Sequence, residues 1–220
     1  MRKLLLSSVL MMVVLSVCAQ AQITIGNPPN QGNCIPFSCQ DEFPGNYEQI
    51  YYNTSFNTSI DIGSISFFDT FYNNGSSQGV ANMNFSLYLA TTNMTVPDGT
   101  IPSNAQFFGT YQLNGQNFPY GQELTFTGAP YLYNPGSGNL ELILEVNGSS
   151  GGPNSGVYTY FDANSDGPFS RWCPDCTSGL EGYGLVTEFD TTSSTVPEPG
   201  TLMLLGSGFA AFGMLRRKLF

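Results

Sequence analysis

Two cysteine pairs, one acidic turn and a scatter of carboxylates are the side chains between Gln22 and Thr195 with chemistry to offer. Cys34 and Cys39 form one pair, and Cys173 and Cys176 the other. The run Trp172-Cys173-Pro174-Asp175-Cys176 has the spacing of a dithiol redox motif. Such a motif needs a strand before it and a helix opening on its first cysteine to lower the thiol pKa. Here "TSGLEGYGLVTEF" follows, which reads as loop and strand. The four thiols also have pair spacings that suit a zinc site. The turn "DANSDG" offers Asp162, Asn164 and Asp166 as alternating oxygen ligands before Gly167, the first half of a calcium loop. The twelfth position, where a helix–loop–helix calcium site carries a bidentate Glu, is Cys173, and Pro168 follows the glycine. The expectation is therefore either a calcium site in a β-loop, completed by acids elsewhere, or the simpler Asx-rich turn. No histidine occurs in the 220 residues, and no lysine lies between Gln22 and Thr195. Ser-His-Asp and Cys-His catalysis, histidine metal sites and Schiff-base chemistry are excluded. A paired-carboxylate glycoside hydrolase is the one catalytic alternative left, and no motif selects a pair for it. The expectation is that this is not an enzyme.

The two ends of the chain say where it goes. Arg2 and Lys3 precede the apolar run "LLLSSVLMMVVLSVC" and then Ala19-Gln20-Ala21. A charged start, an apolar stretch and an A-x-A site make residues 1–21 a signal peptide, cleaved by signal peptidase between Ala21 and Gln22. Lipidation at Cys18 is the competing reading, and bulky Val17 just before it argues against processing there. The far end holds Val196-Pro197-Glu198-Pro199, an apolar run from Thr201 to Leu215, and the basic residues Arg216, Arg217 and Lys218. Fifteen residues make about 22 Å of helix, short of a comfortable bilayer span. Of the six basic residues only Arg171 lies between Gln22 and Thr195, against fifteen acids, a formal balance of −14. Positive charge stands only beside the two hydrophobic segments, as cytoplasmic flanks require. Residues between them belong outside the membrane, and their charge repels nucleic acid. In that oxidising compartment two disulfides are the expected state of the four cysteines. Three pairings exist, and Cys34–Cys39 with Cys173–Cys176 is the simplest.

The order of the tail, a Pro-Glu-Pro step, a thin hydrophobic helix broken by Gly206, Gly208 and Gly213, then a basic stop, resembles the PEP-CTERM sorting signal. The resemblance covers the last 25 or so residues. It implies processing in bacteria by exosortase, a membrane-embedded transpeptidase-like enzyme, with Val196, Pro197, Glu198 and Pro199 as the recognised motif. It also implies an inner-membrane-tethered intermediate, then the cell surface or extracellular matrix, in company with exopolysaccharide. The physics agrees, since two prolines around Glu198 hold the chain extended for a protease cleft. A short Gly-containing helix holds it near the bilayer without a deep anchor. A permanent C-terminal membrane anchor is the plain alternative.

Between these ends the chain alternates with a period of two. "ANMNFSLYLA" puts Met83, Phe85, Leu87 and Leu89 on one face, and "NLELILEV" puts Leu140, Leu142, Leu144 and Val146 on one face, with Ile143 breaking the pattern on the other. "IDIGSISFF" shifts phase at Gly63, as a bulge would. Further strands are expected at Tyr47–Tyr52, Gln106–Leu113, Glu123–Thr127, Gly156–Asp162 and Tyr183–Phe189. Gly128–Gly138 and Ser149–Ser155 read as loops. No stretch there has a convincing helical period. The expectation is an all-β fold: a single antiparallel β-sandwich of jelly-roll form over residues 22–190. A polar linker, 191–195, and the sorting segment 196–220 follow. Six Asn-x-Ser/Thr sequons, at Asn53, Asn57, Asn74, Asn84, Asn93 and Asn147, read as part of an Asn-rich surface. The leading functional expectation is a non-catalytic structural, adhesive or glycan-binding module, in which aromatics beside polar groups would hold sugars; a calcium-dependent binding module is an alternative.

Overall fold

The alternating runs become long strands in a computed structural model that describes residues 22–39, 46–70, 78–165, 169–172, 180–181 and 183–191. In chain order the strands are β1 (Gln22–Ile25), β2 (Gln31–Asn33), β3 (Asn46–Tyr51), β4 (Ile60–Phe68), β5 (Asn82–Thr92), β6 (Gln106–Asn114) and β7 (Glu123–Tyr133). They continue with β8 (Asn139–Gly151), β9 (Phe161–Asn164), β10 (Phe169–Trp172), β11 (Leu180–Glu181), β12 (Gly184–Leu185) and β13 (Thr187–Thr191). The only helical pieces among the described residues are two short 3-10 turns, Asn53–Ser55 and Pro135–Ser137. The described residues are mostly β-strands in antiparallel sheets.

One sheet runs β1-β13-β4-β7, another β11-β10-β3-β8-β5-β6, and a small third β12-β9-β2. Four antiparallel pairs nest inside one another along the chain: β1 with β13, β3 with β8, β4 with β7, and β5 with β6. The apolar face of each sheet has to leave water, and the two larger sheets do so against each other. Phe85 of β5 meets Phe126 of β7 at 5.3 Å between ring centres, and Tyr51 of β3 meets Phe189 of β13 at 5.0 Å. Met83, Phe85, Leu87, Leu89, Leu140, Leu142 and Leu144 all lie in this core. The expected split of β5 and β8 into two faces is thus observed.

A residue outside the strands centres the core. Phe37, buried, lies in the loop closed by the Cys34–Cys39 disulfide, whose Cα atoms are 5.2 Å apart. Its ring lies 4.9, 5.9, 5.4 and 5.6 Å from Phe67, Phe85, Phe126 and Phe161. Ala81 N–H donates to Phe37 O at 2.8 Å, and Ser38 Oγ donates to Gly79 O at 2.6 Å, so the loop is pinned as well as cross-linked.

Several boundaries differ from the sequence expectation, each for a physical reason. Gly128–Gly138 is not all loop, because β7 runs on to Tyr133. Pro130 is tolerated because β7 is the edge of its sheet. A Cβ on Gly128 would lie 2.4 Å from Phe108 O, so this glycine marks a close approach of β6 rather than a turn. Strand β8 extends through Gly151, into the expected loop Ser149–Ser155. The strand expected at Gly156–Asp162 forms instead at Phe161–Asn164. Thr191, assigned to the linker, ends β13, paired with Ile62. The shift at Gly63 is observed, as a register break between Ile62 and Ser64 against β7.

The strand directions also define two poles. Thr191 of β13 lies opposite Ile62, and Ile62 opposite Tyr131, which is hydrogen-bonded to Thr91 across the sheets at 3.0 Å. Thr191, the last described residue, therefore stands at the Thr92 end of β5. Asn82 stands at the other end, about 30 Å away at the usual rise of a strand.

Candidate ligand-binding face

Several expected site residues lie outside the described residues: Ala21, Asp166, Cys173, Cys176, Val196, Pro197, Glu198, Pro199, Arg216, Arg217 and Lys218. So does the apolar run 201–215, and among the described residues no helix is long and apolar enough to cross a membrane. Gln22 opens β1. Cys34 and Cys39 are bonded to each other.

Asp162 and Asn164 of the acidic turn stand in β9, and both are engaged. Asp162, nearly buried, accepts from Thr70 N–H at 2.8 Å and from the Thr70 hydroxyl. Asn164 Nδ2 donates to Gly26 O at 3.1 Å and Pro28 O at 2.9 Å, tying β9 to the turn after β1. Among the described residues no three His, Cys, Asp or Glu side chains gather as a metal site.

Among the described residues, the three carboxyls raised to about 7 are buried. Glu48 on β3 and Glu141 on β8 share the outer face of the six-stranded sheet, and neither is exposed. Burial is the main reason that both carboxyls are pushed up to about 7, with Asp98 adding repulsion. Gly99 N–H donates to Glu48 Oε2 at 2.9 Å from the connection between β5 and β6. Asn46 Nδ2 and Asn139 Nδ2 hold that connection through Gly99 O and Met94 O, at 3.4 and 2.7 Å. Glu48 Oε1 and both oxygens of Glu141 find no hydrogen-bond partner among the described residues. Asp69 is the third such acid: burial, then Asp162, raises it to about 7, and Gln78 Nε2 donates to its Oδ2 at 2.7 Å. A substrate reaches none of the three without the fold opening.

Past that connection, the outer face of β8, β5 and β6 lies open, and its side chains form transverse rows. In the first row Glu145 accepts from Tyr88 OH at 3.0 Å, and Tyr88 packs edge-on against Phe107 at 5.7 Å. Phe107 is 54% exposed, large for a phenylalanine in a strand. A bulge puts it there: the register slips between Leu87 and Tyr88, so Phe108 turns into the core and Phe107 out. In the second row Asn147 Nδ2 donates to Ser86 Oγ at 2.8 Å, and Ser86 lies 3.3 Å from Thr110 Oγ1. In the third, exposed Asn84 and Gln112 face each other across the ladder. The fourth is an asparagine cluster: Asn82 Nδ2 donates to Asn154 Oδ1 at 3.1 Å, and Asn154 Nδ2 to Asn114 O at 3.0 Å. At this end a cleft of about 280 Å³ opens, lined among others by Asn82, Asn84, Gln112, Asn114, Ser149 and Ser150. Sequence reasoning foresaw aromatics beside polar groups without choosing them. The signal that could have found them was the polar half of the alternation in "NMNFSLY", read across to "FFGTYQLN".

Fold and face define the class: a protein that is mostly β-strand in antiparallel sheets, with a polar, aromatic-ended surface. The tail makes the class more specific. Residues 195–218 match the PEP-CTERM protein-sorting motif, the mark of an exported protein processed by exosortase. Comparison with curated proteins and with solved structures gives no match.

Proposed function

We propose that this chain is a non-catalytic cell-surface or matrix protein: a jelly-roll sandwich that binds exopolysaccharide through the outer face of β8, β5 and β6. The strand order supports the jelly roll. Counting only the eight nested strands, one sheet reads first, eighth, third, sixth and the other second, seventh, fourth, fifth, the order made when a long hairpin rolls up. The single observation that carries the binding role is the row Glu145–Tyr88–Phe107. It sets an exposed ring beside an oriented hydrogen-bonding pair, the combination that grips a sugar by its C–H face and its hydroxyls. The burial of Glu48, Glu141 and Asp69 supports a non-catalytic role over a carboxylate glycosidase.

In this reading signal peptidase frees Gln22, and the helix 201–215 tethers the protein to the inner membrane. Exosortase then cuts near Pro197–Gly200 and releases it to the surface. A glycan array probed with the purified protein tests the binding role, and a blank array removes it. Mass spectrometry of surface material tests delivery: no peptide from the apolar run is expected, and Glu198→Ala stalls release without altering membrane insertion. Recovery of the intact C-terminus from wild-type surface material overturns the cleavage.

A further inference from the structure

We infer that the face takes an extended chain of uncharged sugars, bound along β5 from the asparagine cleft to Phe107; this inference rests on the binding role proposed above. The rows follow each other two residues apart on β5, from Asn82 to Tyr88, so the strip is about 20 Å long. That length spans several sugar rings, and both ends of the strip carry something to bind: the cleft at one, the exposed Phe107 ring at the other. A ligand held only by its terminal ring would leave one of them unused.

The chemistry of the rows selects the charge of the chain. Asn82, Asn84, Ser86, Thr110, Gln112, Asn114, Asn147 and Tyr88 are neutral groups that both donate and accept, as hydroxyls require. The one charged side chain in the rows is Glu145, an acceptor for hydroxyl protons. Arg171 is the only basic residue from Gln22 to Thr195, against fifteen acids. Its strand β10 is separated from β5 by β3 and β8, at the far side of the sheet. Uronate, sulfate and phosphate groups therefore meet repulsion along the strip and no cation to offset it. The position of the strip fits a long partner: the cleft stands at the pole opposite Thr191, the last described residue before the sorting motif.

The test is isothermal titration of the intact protein, in a zwitterionic detergent that presents no sugar headgroup, with neutral oligosaccharides from the disaccharide to the hexasaccharide. Gluco-, manno- and xylo-oligomers serve as probes, with oligogalacturonate and chitosan oligomers as charged comparators. Affinity is expected to rise with length and then level off. Phe107→Ala and Asn84→Ala, exposed positions at opposite ends, should each weaken the longest ligand about ten-fold, a loss of roughly 1.4 kcal/mol. Both variants should keep the wild-type melting temperature. Phe107→Tyr, which keeps the ring, should restore binding. Preference for the charged comparators over every neutral oligomer overturns the ligand class but leaves sugar binding standing. Affinity independent of length, or unmoved by both variants, overturns the extended mode. Silence toward every sugar, neutral and charged, defeats the binding role itself.

Discussion

Replacing Glu141 with glutamine should remove one part of the stability loss that the wild type undergoes as pH rises from about 4.5 to about 7. Glu141 is fully buried, neither carboxyl oxygen has a hydrogen-bond partner among the described residues, and burial followed by repulsion from Asp98 raises its carboxyl from 4.5 to about 7. The native state therefore keeps a proton that the unfolded chain has already released. Stability falls where the native state binds more protons, so the loss begins near pH 4.5 and is complete a little above pH 7. Each unit of difference is worth about 1.36 kcal/mol. The interval of roughly two and a half units gives about 3 kcal/mol for an isolated group. Glu48 moves in the same direction, and Asp69 adds a third loss of the same sign from a different place. Glutamine has nearly the same shape and cannot ionise. Urea unfolding followed by circular dichroism at pH 4.5 and pH 8 should therefore find Glu141→Gln gaining about 2–3 kcal/mol on wild type between the two. An offset between variant and wild type that is the same at both pH values would refute the reasoning, because it would mean that Glu141 titrates alike in the native and unfolded states.

Two other substitutions test how the core and the acidic turn are held. Phe37→Ala should cost about 3–5 kcal/mol, since it empties the space between four other rings, while Leu132→Ala, 72% exposed on β7, should stay within about 0.5 kcal/mol; equal effects by thermal melting would deny Phe37 its central place. Asp162→Ala should cost about 2 kcal/mol even with a calcium chelator present, because Thr70 N–H and its hydroxyl lose their acceptor. If the cost disappears in chelator, Asp162 acts as a calcium ligand instead.

The strands best read from the sequence were those whose two faces meet different solvents. In β5 and β8 every second residue enters the core, and the phase change at Gly63 was visible because one glycine shifted a clean alternation. Strand β7 was cut short because Gly128 and Pro130 look like turn residues. They are tolerated by an edge position and by the approach of Phe108, which only the assembled sheets supply. Phe37 could not be read at all, since its neighbours come from four distant segments. Glu48 and Glu141 followed the alternation to the outer face, where a sequence reader expects water. The segment that covers them, "NMTVPDGTIPSN", has no periodicity to announce a covering role. The rows of the open face were half legible: the polar positions of β5 were clear, but pairing them with β6 required a bulge that no residue type marks.

The place of β13 ties the two ends of the domain together. It lies between β1 and β4, yet it is the last strand among the described residues. Until it arrives, β1 and β4 stand apart, with a gap one strand wide and backbone groups unpaired on both sides, an invitation to any foreign strand. Filling that gap pairs residues from opposite ends of the domain, the kind of long-range contact that forms slowly in general. The sorting motif at 195–218 begins four residues after Thr191. The strand that fills the gap between β1 and β4 and the sorting motif are thus near neighbours in the chain.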